Sequence, residues 1–327
     1  MKRVWMGSCG GLCASIAVLV LANILMCSTA AAGWTINPLT DNDYDDHDPA
    51  ISGTNVVWSA WDGSDWEIHS NFAGVLTNNN RDDKAPAISG TNVVWERQTA
   101  SDWEIFSNFA GRLTDNARSD RNPAISGTNV VWQHWTGDDW EIASNFAGRL
   151  TDNAKNDTRP AISGTNVVWQ HWDGDDWEIF SNFAGRLTDN GADDIWPAIS
   201  GENVVWERWG ASDAEIITNF AGRLTFNNRN DANASISGEN IVWEGWGSAD
   251  SEIFTNFLGR ITFNGLDDCY PAISEMNIAW EHWDGNDWEI YLATYTTDAS
   301  AVPAPGALLL AGLGAGAVGW MRRRKAL

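Results

Sequence analysis

The 327-residue sequence is poor in positive charge: 20 Lys and Arg stand against 44 Asp and Glu, for a formal net charge of -24. Phosphate binding needs clustered Lys and Arg, so this shortage excludes nucleic acid as a partner. Cysteine is scarcer still. Cys9, Cys13 and Cys27 lie within the first 32 residues, which leaves Cys269 alone and excludes an internal disulfide in the remainder. Of five histidines, His134, His171 and His282 share one repeat position, the pattern of a common structural slot. No nucleophile elbow, Walker loop or zinc-type spacing occurs. A catalytic site normally breaks symmetry, whereas the copies described below are nearly uniform. The expectation is therefore that the chain is not an enzyme, with a paired-carboxylate glycan hydrolase or lyase as the minor reading.

Long apolar runs occur only at the two ends. Lys2 and Arg3 precede "ASIAVLVLANILM" (14–26) and the small residues "STAAA", so 1–32 read as a secretory signal peptide cut after Ala32. At the other end Pro303 and Pro305 precede a short uncharged segment (306–321), followed by Arg322, Arg323, Arg324 and Lys325. This tripartite tail, 303–327, resembles the PEP-CTERM sorting signal of Gram-negative bacteria, with Ala304 where the motif has Glu. The resemblance implies export, a short membrane segment, an exosortase-type processing enzyme as partner, and residence in the envelope, at the surface or in the matrix. A plain membrane anchor is the alternative. A linker, 298–302, separates the tail from the main domain, 33–297.

That domain is repetitive. Ile-Ser recurs at Ile51, Ile88, Ile125, Ile162, Ile199, Ile236 and Ile273, every interval being 37 residues. Gly, Pro and Asn punctuate each unit too often for helices. Short β-rich runs, "AIS", "NVVWQHW", "DWEIFSN" and "GRLT", are joined by turn sequences. The fold class is all-β: a seven-bladed β-propeller with four short antiparallel strands per 37-residue blade. The series from Trp58 to Trp280 is expected to pack between blades. "WTINPLT" (34–40) has no blade of its own, and the seventh unit lacks its "RLT". The N-terminal strand should therefore close the last blade. The rhythm of the repeat resembles TolB-type and surface-protein propellers, a resemblance that implies a fold and a habit of binding.

The second-to-third hairpins and the inter-blade loops leave such blades at one end. They hold 29 of the 30 Asp, offset in part by seven Lys and Arg. Two series recur in all seven copies: Asp46, Asp83, Asp120, Asp157, Asp194, Asp231 and Asp268, and Asp65, Asp102, Asp139, Asp176, Asp213, Asp250 and Asp287. They are candidates for binding on this face, or for turn stabilisation. Trp61, Trp66, Trp135, Trp140, Trp172, Trp177, Trp283 and Trp288 flank the hairpins, as stacking surfaces for sugar rings or as cross-strand pairs. Glu67 and its images face Arg112, Arg149, Arg186, Arg223 and Arg260, the pattern of salt bridges within blades. No cofactor is required. Calcium is the one candidate, through Asp41, Asp43 and Asp45, whose alternate spacing lacks the Gly and Glu of a full calcium loop. The reading is a non-catalytic surface or matrix binding module; the alternative is a multivalent lectin-like protein for extracellular polysaccharide.

Overall fold

The computed structural model describes residues 33–296, apart from Ala211 and Ser248. The signal peptide, linker and sorting segment read from the sequence lie outside the described residues. Among the described residues no helix is long and apolar enough to cross a membrane.

Seven four-stranded antiparallel sheets follow one another along the chain. In blade 1 they are β2 (Asp46–Ser52), β3 (Asn55–Trp61), β4 (Trp66–Ser70) and β5 (Gly74–Val75), in that spatial order. Blades 2 to 6 repeat this at 37-residue intervals, each ending in a Gly-Arg pair such as Gly111–Arg112. β1 (Gly33–Pro38) is the outer strand of blade 7, as the missing "RLT" requires. It pairs with Trp288–Thr296 over six residues, from Gly33↔Thr296 to Pro38↔Tyr291. Equivalent hydrogen bonds mark the closure: Leu76 N–H donates to Ile68 O at 2.8 Å, and Leu39 N–H to Ile290 O at 2.7 Å.

The core lies between sheets. Val57 and Ile68 of blade 1 pack against Ile88, Val93 and Trp95 of blade 2, and the other junctions repeat this cluster. Burial of the Trp58 series at 1–8% exposure agrees with its reading as inter-blade packing. At the face opposite the hairpins each junction is pinned by one serine. Ser52 Oγ accepts Gly90 N–H at 2.8 Å, and the ring closes through Ser274 Oγ and Gly53 N–H at 2.8 Å.

The inner strands differ from expectation. "AIS" marks only their second half, because each begins at least four residues earlier, at Asp46 and its images or, in blade 5, at Asp193. Asp and Pro disfavour strands and hide this extension. A β-bulge reconciles them: His47 pairs with Ser59 and Ala50 with Val57, so Asp48 and Pro49 together oppose Trp58.

Candidate ligand-binding face and channel mouth

The recurrent acids are anchored before they can meet a ligand. Asp83, Asp120, Asp157 and Asp194 are fully buried, and Asp46, Asp231 and Asp268 nearly so. In blade 2 Asp83 Oδ1 accepts Trp95 Nε1–H at 2.9 Å, and its Oδ2 accepts Asn79 Nδ2–H at 2.6 Å. Asn79 N–H in turn donates to Glu67 of blade 1. The Asn–Asp bond recurs at all seven loops and the Asn N–H bond to Glu at five, fastening those loops to the sheets on either side, which explains why Asp, Glu, Asn and Trp recur together. A base completes it in five blades: His134, His171 and His282 lie 2.6–2.7 Å from their aspartates, and Arg97 and Arg208 form ion pairs in the same slot. The shared histidine position is thus structural. Blades 1 and 6 carry Ala60 and Gly245 there. Burial pushes Asp46 up to about 6 and raises Asp231 as well.

The second aspartate series lies in the hairpins, with Asp65 and Asp287 buried and Asp102, Asp139, Asp176, Asp213 and Asp250 partly so. The expected intra-blade salt bridges form: Arg112, Arg149, Arg186, Arg223 and Arg260 each bind the buried glutamate of their own blade. The expected calcium loop does not take shape. Asp41 and Asp43 are exposed, Asn42 Oδ1 organises the turn by accepting Tyr44 N–H at 2.9 Å, and Asp45 accepts Trp288 N–H at 3.2 Å. Among the described residues the carboxylate groups close enough to share an ion lie elsewhere, at Asp173, Asp176 and Glu178 and at Asp284, Asp287 and Glu289.

The flanking tryptophans meet one another. Trp61 and Trp66, Trp135 and Trp140, Trp172 and Trp177, and Trp283 and Trp288 sit directly opposite across their hairpins, with centroids 5.3–5.5 Å apart and planes at 58–61°. Tilted to edge-on packing of this kind stabilises the hairpin and occupies part of each ring. In blades 5 and 6 the second partner is Ala214 or Ser251, and Trp209 and Trp246 are left 41% and 54% exposed.

Sequence reasoning missed the axis. The bulge turns one residue of each inner strand into the central channel: Asp48, Ala85, Asn122, Arg159, Trp196, Asn233 and Tyr270 line a recess of about 510 Å³. All seven have φ between 49° and 56°, a left-handed conformation that Asp48, Asn122 and Asn233 tolerate and that is costly for Ala85, Arg159, Trp196 and Tyr270. The neighbouring blade holds the strained backbone in place. Asp48, Asn122, Asn233 and Tyr270 N–H groups bond Glu281, Glu96, Glu207 and Glu244, while Arg159 and Trp196 N–H groups bond Gln133 and Gln170. Burial pushes Glu207 up to about 7.

Their side chains differ almost from blade to blade: an acid, a methyl, two amides, a guanidinium, an indole and a phenol. The Arg159 guanidinium stacks 3.2 Å from the centroid of the Trp196 ring. Trp196 is 38% and Tyr270 49% exposed. From Tyr270 a groove of about 510 Å³ runs outward between blades 6 and 7, past Cys269 to Trp246 and Trp288. Cys269 is buried in its wall, and burial holds its thiol protonated well above the usual range. The sequence did carry a signal for the axis: the residue before "PAIS" varies almost completely while its neighbours repeat.

No protein-family model matches the sequence, and no curated protein matches it. Solved structures match in shape. The β-propeller domain of the Trilobed protease from Pyrococcus furiosus, described as having an open velcro topology, superposes with a TM-score of 0.59 at 10% identity over 79% of this chain and 99% of that one. Acylaminoacyl peptidase from Pyrococcus horikoshii gives 0.57 at 11% identity over 79% of this chain, which spans about half of that enzyme (53%). An oligogalacturonate lyase in complex with manganese gives 0.52 at 12% identity, over 82% of this chain and 94% of that one. These likenesses establish the seven-bladed propeller fold. They also overturn the expectation that the chain is not an enzyme. Propellers of this shape stand in peptidases, and in the lyase nearly the whole matched chain is covered. The premise fails as well, because symmetry is broken at the channel, where the uniform parts of the repeat gave no sign of it.

Proposed function

We propose that the chain is an exported binding module of the cell surface or extracellular matrix, which takes its ligand at the acidic-face mouth of the central channel. One observation carries this reading: seven left-handed, axis-facing residues of unlike chemistry in a ring whose other positions repeat. Backbone strain persists where something compensates for it, and it clusters at ligand clamps. The aromatic track Trp196–Tyr270–Trp246, with Arg159 beside it, suits the end of an extracellular polysaccharide carrying one anionic or strongly hydrogen-bonding group. Export rests on residues 1–32. Sorting rests on Pro303, Pro305, Arg322, Arg323 and Arg324, with an exosortase-type enzyme removing the tail. The intact mass of the surface form would reveal the "WMRRRKAL" end if the tail were only an anchor.

A glycan array followed by tryptophan-fluorescence titration tests the site. Trp196→Ala or Tyr270→Ala should weaken binding at least tenfold with the melting curve kept, whereas Trp172→Ala should leave it unchanged. Several equivalent sites per chain, each lost with its own hairpin tryptophan pair, would favour the multivalent lectin instead.

A further inference from the structure

We propose that blade 7 holds a divalent cation of the calcium class between Asp284, Asp287 and Glu289, at the seam where the ring closes. One carboxylate oxygen from each of the three lies within 4.8 Å of the others, a spread that a calcium ion with oxygen ligands at about 2.3–2.6 Å can bridge. The proximity of acids is the lesser part of the case. Asp287 is 4% and Glu289 2% exposed; Asp287 Oδ1 has no hydrogen-bond partner, and neither has Glu289 Oε2, which unlike the equally unpaired Oε2 of Glu104, Glu141 and Glu252 has no arginine on its carboxylate. Buried carboxylate oxygens are costly to leave unpaired. Three of the other four oxygens accept hydrogen bonds. Glu289 Oε1 accepts Asn42 N–H at 2.7 Å, Asp287 Oδ2 accepts Asn286 Nδ2–H at 3.2 Å, and Asp284 Oδ1 accepts Asn286 N–H at 2.7 Å.

Blade 4 supplies an internal control. It carries the same trio, Asp173, Asp176 and Glu178, and there Arg186 Nη2 binds both Asp173 and Glu178 at 3.0 Å. Arg186 lies opposite Phe180 on the outer strand, and in blade 7 the residue opposite the equivalent Tyr291 is Pro38. The blade closed by the N-terminal strand therefore keeps the carboxylates and loses their cation. Asp43 and Asp45 add negative charge around Asp287. An all-oxygen, hard donor set of this charge selects calcium over softer transition metals. Glu289 also grips Asn42, so an ion here would tie the third strand of blade 7 to the loop leading out of β1.

The purified full chain, stripped of metal, is titrated with calcium by calorimetry and with terbium, whose luminescence Trp283 and Trp288 are placed to sensitise. One equivalent should bind in blade 7. Asp284→Asn should weaken it at least tenfold. Pro38→Arg, which introduces the arginine of blades 2 to 6, should abolish it in a chain that still melts cooperatively. Asp173→Asn should leave it unchanged. No heat or luminescence at millimolar calcium or terbium would overturn the proposal, and so would binding that neither Asp284→Asn nor Pro38→Arg reduces.

Discussion

Blade 7 and blades 2 to 6 solve the same packing problem with different outer strands. In the five internal blades that strand is only two residues long, Gly-Arg, and its arginine reaches back to a buried glutamate. In blade 7 it comes from the opposite end of the domain, pairs over six residues and offers Pro38 in place of arginine. A short strand continuous with its blade needs little pairing, because its neighbours in sequence already hold it near. A strand recruited across more than 250 residues must compensate for a long loop closure, and extra ladder bonds do so. The comparison separates two ways of finishing a sheet: by charge, or by length.

The largest break in this contrast is removal of residues 33–38. The deletion strips the ladder partner from Tyr291–Thr296, withdraws the half-buried Trp34 from Phe257 and Tyr295, and exposes a strand edge. A loss of at least ~3 kcal/mol is expected, with aggregation visible by size-exclusion chromatography. A melting curve equal to that of the intact chain would refute closure by β1.

Arg186→Ala sharpens the contrast from the other side, by making blade 4 resemble blade 7. Glu178 would be left buried without its guanidinium, at about 1–3 kcal/mol in metal-free buffer. If the arginine stands in for an ion, calcium should restore much of that loss, and calorimetry should count a second equivalent. Destabilisation that calcium leaves untouched would show that arginine and cation are not interchangeable.

The smallest effect concerns pH and separates blade 1 from blade 3. Asp46 faces Ala60, where Asp120 faces His134 at 2.6 Å. With its folded value pushed up to about 6, Asp46 holds a proton more tightly in the folded state than in the unfolded one. Its contribution is therefore full below about pH 4 and lost as the pH rises through about 6. Asp46→Asn should flatten the stability profile over that interval, read by denaturant melts at successive pH values. A profile of unchanged slope would place the titration elsewhere.

Much of the fold was legible in the sequence because it rests on periodicity. A 37-residue interval without insertions, tryptophans on one strand and an orphan "PLT" suffice for seven blades and their closure. The site was hidden for physical reasons. Reading recurrence selects residues that every blade needs, and those proved to be the posts of the scaffold, such as Asp83 beneath Trp95 and Glu104 beneath Arg112. Arg159, Trp196 and Tyr270 escaped notice because they do not recur, and because Pro after each argued for loop rather than strand. Asp287 of blade 7 stood in the recurrent series, but the loss of arginine beside it was not legible, because Pro38 and Tyr291 are 253 residues apart and pair only in the closed ring.

The left-handed residues at the axis have a further consequence. A ring of identical units presents a ligand with seven indistinguishable orientations, and whatever binds there is free to rotate among them. Here each backbone N–H at the bulge, save that of Ala85, donates to a glutamate or glutamine side chain of the adjacent blade, so the backbone is held whatever side chain stands above it. Unlike side chains at those points give the ring a direction, a fixed north among its blades. A guest that must be held in one pose could use it, and the order of the blades could be rewritten one letter at a time without disturbing the sheets beneath.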